Sequence, residues 1–254
     1  MLLLGALSLA FTLTTPASQP CPDALIAAVT RDAGIRTGSA AGGAVVSAAC
    51  TVWPHDERII LAALAFDEGA EDEKTLVVGM VERRSYRVIS RYKRTIGEDS
   101  AVRFGEHSLG IDVGRYHVAS GVRAFGVRFT SAARGPSCAE GAWEDELTLF
   151  VPAGATLRPV LQGLAMTRRI AREGCFGGGS SAPIIHDEAT LFLSLAPNRS
   201  NGFNDLVARA VIVRRRDSRV LERRTERHTL RYDGSEYRES RNAPWWITIF
   251  RPDG

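Results

Sequence analysis

Two segments of the sequence resemble catalytic serine motifs, but each lacks a required feature. Glu106-His107-Ser108-Leu109-Gly110 differs from the nucleophile elbow of α/β-hydrolases at its first glycine, and residues 111–113 read as a strand where the elbow needs a helix. Ser90-Arg91-Tyr92-Lys93 matches the Ser-x-x-Lys of penicillin-binding enzymes, but the companion Lys-Thr-Gly is absent, and a strand would point Ser90 and Lys93 to opposite faces. We therefore predict no catalytic residue and interpret Ser108 as a solvent-facing loop serine.

Two histidines lie next to acidic residues just before apolar strands. His55-Asp56-Glu57 and His186-Asp187-Glu188 would each place the histidine and the glutamate on one face of an extended chain. Metal binding needs three or four converging ligands, and nothing in the sequence indicates that the two segments meet. The favoured interpretation is acidic gatekeepers at strand ends, so we predict no metal site and no cofactor.

The segment from Arg209 to Arg231 has the largest charge imbalance in the chain. It contains nine arginines and three acidic residues, and it reads as a hairpin that turns near Asp217-Ser218. Arginines on one exposed face would bind an anionic envelope polymer, phosphorylated lipid headgroups or an acidic protein. The alternative is that they form the wet side of a half-buried hairpin. The candidate binding residues are Arg209, Arg214, Arg215, Arg216, Arg219, Arg223 and Arg224.

The arginine content alone does not identify a partner. The chain has 254 residues, 32 of them lysine or arginine, and a net charge of +3; only Lys74 and Lys93 are lysines. A GC-rich genome explains a general preference for arginine codons. Nucleic acid is the least favoured partner, because no recognition motif accompanies the charge.

An all-β fold is predicted by many short segments rich in β-branched and aliphatic residues. One helix is expected first, over 23–33, with Asp23 as its cap and Gly34 as its end. The predicted strands are 58–66, 75–82, 86–92, 108–113, 122–129, 146–151, 188–195, 206–214, 219–232 and 246–250.

Alternation of apolar residues supports a sheet with one buried face. The expected core stripes are Phe125, Val127 and Phe129; Leu147, Leu149 and Val151; and Leu191, Leu193 and Leu195. The element Asp-Glu-x-Thr-Leu-Phe begins at Asp145 and again at Asp187, a spacing near the roughly 40–45 residues of a propeller blade. The prediction is therefore a sandwich or a propeller-like arrangement of short antiparallel strands.

Residues Met1 to Ala17 are predicted to be a secretory signal peptide. Leu2 to Leu13 is an uncharged, mostly apolar run, and the small residues that follow suit cleavage after Ala17. The run is too short to span a bilayer, which needs about 20 apolar residues. We expect residues 18–254 to form a single β-rich domain, with a subdomain break near 176–182 as an alternative, in the periplasm or outside the cell.

Four cysteines, an even number in an exported chain, predict two disulfide bonds. Four cysteines allow three connectivities, and sequence proximity favours Cys21 with Cys50 and Cys138 with Cys175. The chain lacks the Cys-x-x-Cys or close Cys/His spacing of a redox or zinc site, so a structural role is predicted.

Several segments resemble a family of exported, β-rich proteobacterial proteins without an assigned activity. They are Cys50-Thr51-Val52-Trp53-Pro54, residues 111–116 and residues 122–128. The segment 201–206, with Tyr232-Asp233-Gly234 after it, is similar to a pattern in β-rich periplasmic proteins, some of them propeller-like. The resemblance implies an envelope location in a Gram-negative bacterium, and it assigns no catalytic residue.

Together these observations predict an exported, non-catalytic binding or interaction protein of the bacterial cell envelope, of which an inhibitor or immunity protein is one form. The alternative is a secreted hydrolase of envelope polymers, which needs two facing carboxylates or a Ser/His pair in a cleft. The expected partners are an acidic protein or an anionic envelope polymer. Trp245-Trp246 either forms an aromatic platform for sugar rings or closes the β core.

Overall fold

The structure is a computed structural model that describes residues 20–36, 43–177 and 183–250. Within these residues the chain forms one helix and twelve strands, which confirms the predicted all-β fold. The predicted signal peptide lies outside the described residues, as does most of the alternative subdomain break. The elements are α1 Asp23–Asp32, β1 Ala44–Val52, β2 Ile59–Asp67, β3 Glu73–Glu82, β4 Val88–Gly97, β5 Leu109–Ala119, β6 Val122–Phe129, β7 Gly141–Ala153, β8 Thr156–Glu173, β9 Ile185–Ser200, β10 Phe203–Arg216, β11 Arg219–Tyr232 and β12 Tyr237–Arg238.

Helix α1 packs on the outer side of the first strands through one apolar face. Leu25 and Val29, one helical turn apart, are buried against residues of β2 and β3. Gly34 follows the helix with a φ of +63°, a left-handed conformation that glycine adopts at helix ends. The predicted cap is wrong: Pro22 is the N-cap residue, and Asp23 is the first residue of the helix.

The twelve strands form one continuous sheet that curls and then extends. Strands β1 to β4 pair in order, β4 pairs in parallel with β8, and β9 to β12 follow. A branch of β7, β6 and β5 leaves the other edge of β8. Ser47 of β1 closes the curl, because its hydroxyl accepts a hydrogen bond from Leu109 N and donates one to the Glu106 carbonyl, both at 3.1 Å. The sheet is not divided into separate blades, so the sandwich-like alternative is the one observed.

Strand β8 is eighteen residues long, and three partners share one of its edges. Strand β4 pairs with it only at Thr156, opposite Arg91. The C-terminal segment pairs further along, where Phe250 N donates to the Gly163 carbonyl at 3.0 Å. Strand β9 pairs from Thr167 onward. Strands β4 and β9 therefore diverge from the two ends of β8.

The prediction of strands fails for β1, β8, the two-residue β12 and the C-terminal segment. Strands β1 and β8 were not predicted; β8 contains Pro159 and Gly163, residues that are uncommon inside strands. The predicted strand 246–250 makes only an isolated bridge between Ile249 and Leu164. Strands β9 and β10 are longer than expected, at 16 and 14 residues, whereas β11 has the predicted bounds.

Three apolar clusters form the core, and the predicted stripes lie in two of them. Phe125 and Val127 are buried inside the curl, with Phe129 packed against them. The other two stripes fill the space between the curled part and the inner face of β8 to β11. The third cluster joins α1 to β2 and β3. The described residues thus form two β layers with a helix on one outer side.

Both disulfide bonds join the pairs that sequence proximity favours, Cys21 with Cys50 and Cys138 with Cys175. The first ties the start of α1 to β1. The second joins the segment before β7 to the segment after β8, next to a backbone bridge between Ala139 and Phe176. The second bond therefore closes the open end of the β7–β8 hairpin.

Removing the first disulfide should destabilise the protein without changing its fold. The bond closes a loop with a sequence separation of 29 residues, so Cys21→Ser with Cys50→Ser should lower the free energy of unfolding by about 3–4 kcal/mol in the chain-entropy model. Urea denaturation followed by circular dichroism measures this change. An unchanged midpoint would show that the bond does not constrain the unfolded chain.

Candidate binding sites

Strands β10 and β11 form a long hairpin, which we call the arm, and its tip is residues 215–223. The arm turns at Asp217 and Ser218, as predicted, and Asp217 has a φ of +49°. The tip is attached to the start of β9, because Asp217 N donates to the Ile184 carbonyl at 3.0 Å and Ile184 N donates to Asp217 Oδ1 at 3.1 Å. The arm is therefore an ordered extension of the sheet.

The seven arginines predicted as one binding site lie in three different environments. Arg214 and Arg224 lie on the inner face of the arm and pair with acidic side chains. Arg209 lies on the outer face, where its guanidinium carbon is 4.5 Å from the centroid of the Phe192 ring. The remaining four lie at the arm tip: Arg215, Arg216, Arg219 and Arg223. The structure thus brings together four of the seven.

Asp187 explains why Arg214 is not a free binding group. The carboxylate of Asp187 is fully buried and accepts hydrogen bonds from Arg214 Nε at 2.7 Å and Arg172 Nε at 3.0 Å. Burial raises the pKa of Asp187, but the hydrogen bonds from Arg214 and Arg172 outweigh it, and the pKa lies below its ordinary value. Arg214 therefore has a structural role on the inner face.

Ion pairs continue from Arg214 along the inner face of the arm. Glu222 lies 3.7 Å from Arg214 and 3.5 Å from Arg224, and Arg224 Nε lies 2.9 Å from Glu226. Trp246 Nε1 donates to the other oxygen of Glu226 at 2.6 Å. The two glutamates of the arm are therefore engaged with inner-face groups and do not offset the arginines at the tip.

The arm tip combines unpaired arginines with exposed aliphatic side chains. Arg216, Arg219 and Arg223 are exposed, and within the described residues their side chains have no ion-pair or hydrogen-bond partner. Val220 and Leu221 are 49% and 47% exposed, unusually high for large aliphatic residues in this structure. The tip is therefore both basic and apolar.

The tryptophan pair is divided between the core and a half-buried position. Trp246 is fully buried and its indole lies edge-on to the ring of His228. Trp245 is half-buried, with the Arg172 guanidinium 5.9 Å from its ring centroid. The alternative that the pair closes the β core is thus the one observed for Trp246.

The serines of the two segments that resemble catalytic motifs, Ser108 and Ser90, are buried. Ser108 is 4% exposed and its Oγ accepts a hydrogen bond from Gly105 N at 2.8 Å, so the prediction of a solvent-facing serine is wrong. It lies where β5 enters the curled part of the sheet. Ser90 is 1% exposed, whereas Lys93 Nζ donates to the Ala33 carbonyl at 3.1 Å at the helix end.

The two histidines considered as metal ligands, His55 and His186, have different neighbours. His55 lies beside His117, with ring centroids 5.9 Å apart, and His186 lies beside Phe176 at 5.4 Å. Across residues 20–36, 43–177 and 183–250, no group of three or more His, Cys, Asp or Glu side chains is placed to hold a metal ion.

A cavity of about 480 Å³ opens between β4 and β8, at the point where these strands separate. Its walls are mainly apolar and aromatic side chains of β3, β4, β6 and β7, together with Phe104 and Phe250. The polar and charged side chains that also line it are Arg94, Thr95, Asp99, Glu146, Thr148 and Gln162. Asp99 is engaged with its own loop, because its Oδ1 accepts hydrogen bonds from Ala101 N and Val102 N at 2.7 Å.

Glu146 places a carboxyl group in the wall of this cavity. Its Oε1 accepts a hydrogen bond from Trp143 Nε1 at 3.0 Å, and no basic side chain among the described residues forms an ion pair with it. Burial raises the pKa of Glu146 to about 7, although the Trp143 hydrogen bond lowers it in part. The group therefore changes charge near neutral pH.

Sequence reasoning missed Glu146 because the residue lies at the start of a predicted strand, where an acidic residue is ordinary. Strand β7 begins earlier, at Gly141, so Glu146 lies within the strand. Asp145 has a φ of +62°, a local irregularity in β7 that the sequence does not show. The one available signal was Trp143, an indole donor three residues before the acid.

Comparison of the chain with protein-family models, curated protein sequences and solved structures finds no match. The candidate sites therefore rest on the geometry described above. No helix in the described part of the chain is long and apolar enough to cross a membrane.

Asp187→Asn should destabilise the protein at neutral pH. The change leaves two guanidinium groups beside a neutral amide, and we expect a loss of about 2 kcal/mol, below the usual ~3–5 kcal/mol for a broken buried pair because both arginines are partly exposed. The pKa of Asp187 is lowered by folding, so its contribution is complete above its unfolded pKa and is lost as pH falls through its folded pKa.

Urea denaturation of the wild type and of Asp187→Asn at several pH values measures the difference between their free energies of unfolding. It should be full near pH 7 and shrink below about pH 4, the ordinary pKa of an aspartate. A difference that is independent of pH would contradict the ion-pair explanation. Asp72→Asn is the control, because Asp72 is exposed and its carboxylate forms no hydrogen bond or ion pair within the described residues; this change should leave the free energy of unfolding nearly unchanged at each pH.

Proposed function

We propose that this protein is an exported, non-catalytic binding protein of the bacterial cell envelope that docks on anionic lipid headgroups through the arm tip. Export is supported by the two disulfide bonds, which form and persist in oxidising compartments. It is also supported by the amino-terminal sequence, which has the apolar run and cleavage pattern of a signal peptide.

The observation that carries this proposal is the composition of the arm tip. Arg216, Arg219 and Arg223 project without acidic partners in the described chain, because Glu222 is engaged with Arg214 and Arg224. Arginine guanidinium groups bind phosphate oxygens in a bidentate manner. The tip thus offers a concentrated set of phosphate-binding groups on an ordered hairpin.

The exposed aliphatic residues favour a lipid surface over a purely polar anionic polymer. Val220 and Leu221 lie between the arginines and are about half exposed. At a membrane surface such side chains enter the boundary between headgroups and acyl chains, while neighbouring arginines keep their charged ends at the phosphates. A soluble polymer would leave both aliphatic residues in water.

The alternative function, a secreted hydrolase, is not favoured by a specific observation. Its expected signature is a cleft with two facing carboxylates or a Ser/His pair. In the described part of the chain the cavity presents Glu146 alone as a carboxyl group that is not already bonded within a loop.

Vesicle binding by an arginine variant tests the proposal. Wild-type protein should sediment with phosphatidylcholine vesicles that contain phosphatidylglycerol and not with phosphatidylcholine alone. Arg216→Gln with Arg219→Gln and Arg223→Gln should weaken this binding by roughly 100-fold, since each basic residue near an anionic surface contributes about 1 kcal/mol. Rising salt should weaken wild-type binding.

The matched control changes three exposed arginines elsewhere: Arg83→Gln, Arg84→Gln and Arg103→Gln. This variant has the same net charge as the tip variant and should bind nearly as the wild type does. Equal weakening by both variants would show that only net charge matters and would contradict a site at the tip. Capture of an acidic protein by the tip without vesicle binding would overturn the lipid assignment.

The aliphatic residues should add to binding independently of salt. Val220→Ser with Leu221→Ser leaves every arginine in place, so it should reduce vesicle binding several-fold at both low and high salt. The measurement is the same sedimentation assay. Unchanged binding would show that the side chains stay in water and that the contact is purely electrostatic.

A further inference from the structure

The cavity between β4 and β8 is a consequence of how the sheet divides. The two strands are hydrogen-bonded at one point, where Arg91 N donates to the Ala155 carbonyl at 3.2 Å. Beyond it β4 continues toward Gly97, while β8 turns toward the C-terminal segment and β9. The gap exposes the apolar interior of the curled sheet to solvent.

The interior that the gap exposes is large and aromatic. A volume of about 480 Å³ lies within the usual range of roughly 300–1,000 Å³ for sites that bind small molecules. Tyr92 and Phe150 have ring centroids 5.1 Å apart, and Phe104 and Phe129 lie 4.8 Å apart. An apolar ligand would remove these aromatic surfaces from water.

Glu146 supplies this site with a carboxyl group that has no ion-pair partner among the described residues. Only its Oε1 has a hydrogen bond, from Trp143, and among the described residues Oε2 has none. Trp143 in turn packs against Phe250, with ring centroids 4.7 Å apart. A carboxylate beside aromatic rings attracts an organic ammonium group through charge and through cation–π contact.

The other charged groups that line the cavity do not offer an equivalent site. Asp99 accepts two backbone hydrogen bonds within its loop. Arg94 is already engaged with another group of the protein. Tyr92, the remaining titratable group of the walls, packs against Phe150. The chemistry of the lining therefore favours a ligand with one positive charge and an apolar body.

We propose that the cavity binds a small hydrophobic amine, with its ammonium group paired to the carboxylate of Glu146 and its apolar body among the aromatic side chains. The site shares no residue with the arm tip, so it is independent of the proposed docking on lipid headgroups. An alkyl carboxylate of the same length would place two negative groups together and should bind poorly.

Calorimetry with three probes of equal chain length tests this proposal: n-octylamine, n-octanol and n-octanoate. The wild-type protein should bind octylamine most tightly and octanoate most weakly. Glu146→Gln should weaken octylamine binding at least tenfold, because a hydrogen bond between charged partners is lost, and should leave octanol binding unchanged. Retained octanol binding also shows that the cavity of the variant is intact.

Glu144→Gln is the matched control, since Glu144 lies on the same strand but is exposed and pairs with Arg169. It should bind octylamine as the wild type does. Octylamine binding that is equal in the wild type and in Glu146→Gln would overturn the proposal, as would tighter binding of octanoate. Absence of binding for all three probes would show that the cavity is not a ligand site.

The pH dependence gives a second readout that needs no variant. Burial raises the pKa of Glu146 to about 7, while an alkylammonium group, like that of lysine, keeps its proton up to about pH 10. Octylamine affinity should therefore rise between about pH 6 and pH 8, as Glu146 ionises, and octanol affinity should not. The titratable and charged groups that face this site are Tyr92, Arg94, Asp99 and Glu146. A flat octylamine profile would contradict the pairing.

Discussion

The structure depends on a limit of backbone hydrogen bonding: one edge of a strand pairs with only one partner at each position. Strand β8 has eighteen residues, and its second edge is divided among β4 at one end, the C-terminal segment in the middle and β9 at the other end. Because β4 and β9 leave β8 in different places, the first part of the sheet curls and the second part extends. Both candidate binding sites follow from this division.

One disulfide bond and one buried ionic group lie at the end of β8 where β9 pairs with it. Cys138 and Cys175 join the chain on either side of the β7–β8 hairpin. Buried Asp187 holds Arg172 of β8 to Arg214 of β10 across β9, and so fixes the base of the arm tip. The tip itself is held to Ile184 by the two hydrogen bonds of Asp217.

Sequence patterns predicted the parts of the fold that depend on local periodicity. The buried stripes, the turn at Asp217 and both cysteine pairs needed only spacing and turn chemistry. Strand β8 was missed because its irregularities at Pro159 and Gly163 are compensated by tertiary contacts: Gly163 has a φ of +56° and lies against the Phe250 carbonyl. Such compensation has no signal in a single sequence.

The two candidate binding sites also differ in how much of each could be predicted from the sequence. The tip arginines were predicted, because a run of like charges is visible in sequence, but their separation from Arg214 and Arg224 depended on the position of buried Asp187. Glu146 was missed entirely, since the cavity around it is lined by residues of six different strands and the C-terminal segment. Residues whose chemistry depends on distant neighbours require the fold.

Amide hydrogen exchange in β4, measured residue by residue with NMR, tests the division of the sheet most directly. Arg91 N points toward β8, so by strand alternation the amides of Lys93 and Thr95 point into the gap, and those of Tyr92 and Arg94 point toward β3. The structure predicts fast exchange at Lys93 and Thr95 and slow exchange at Tyr92 and Arg94. Equal protection at all four positions would mean that β4 pairs along β8, that the gap is closed and that the cavity does not open there.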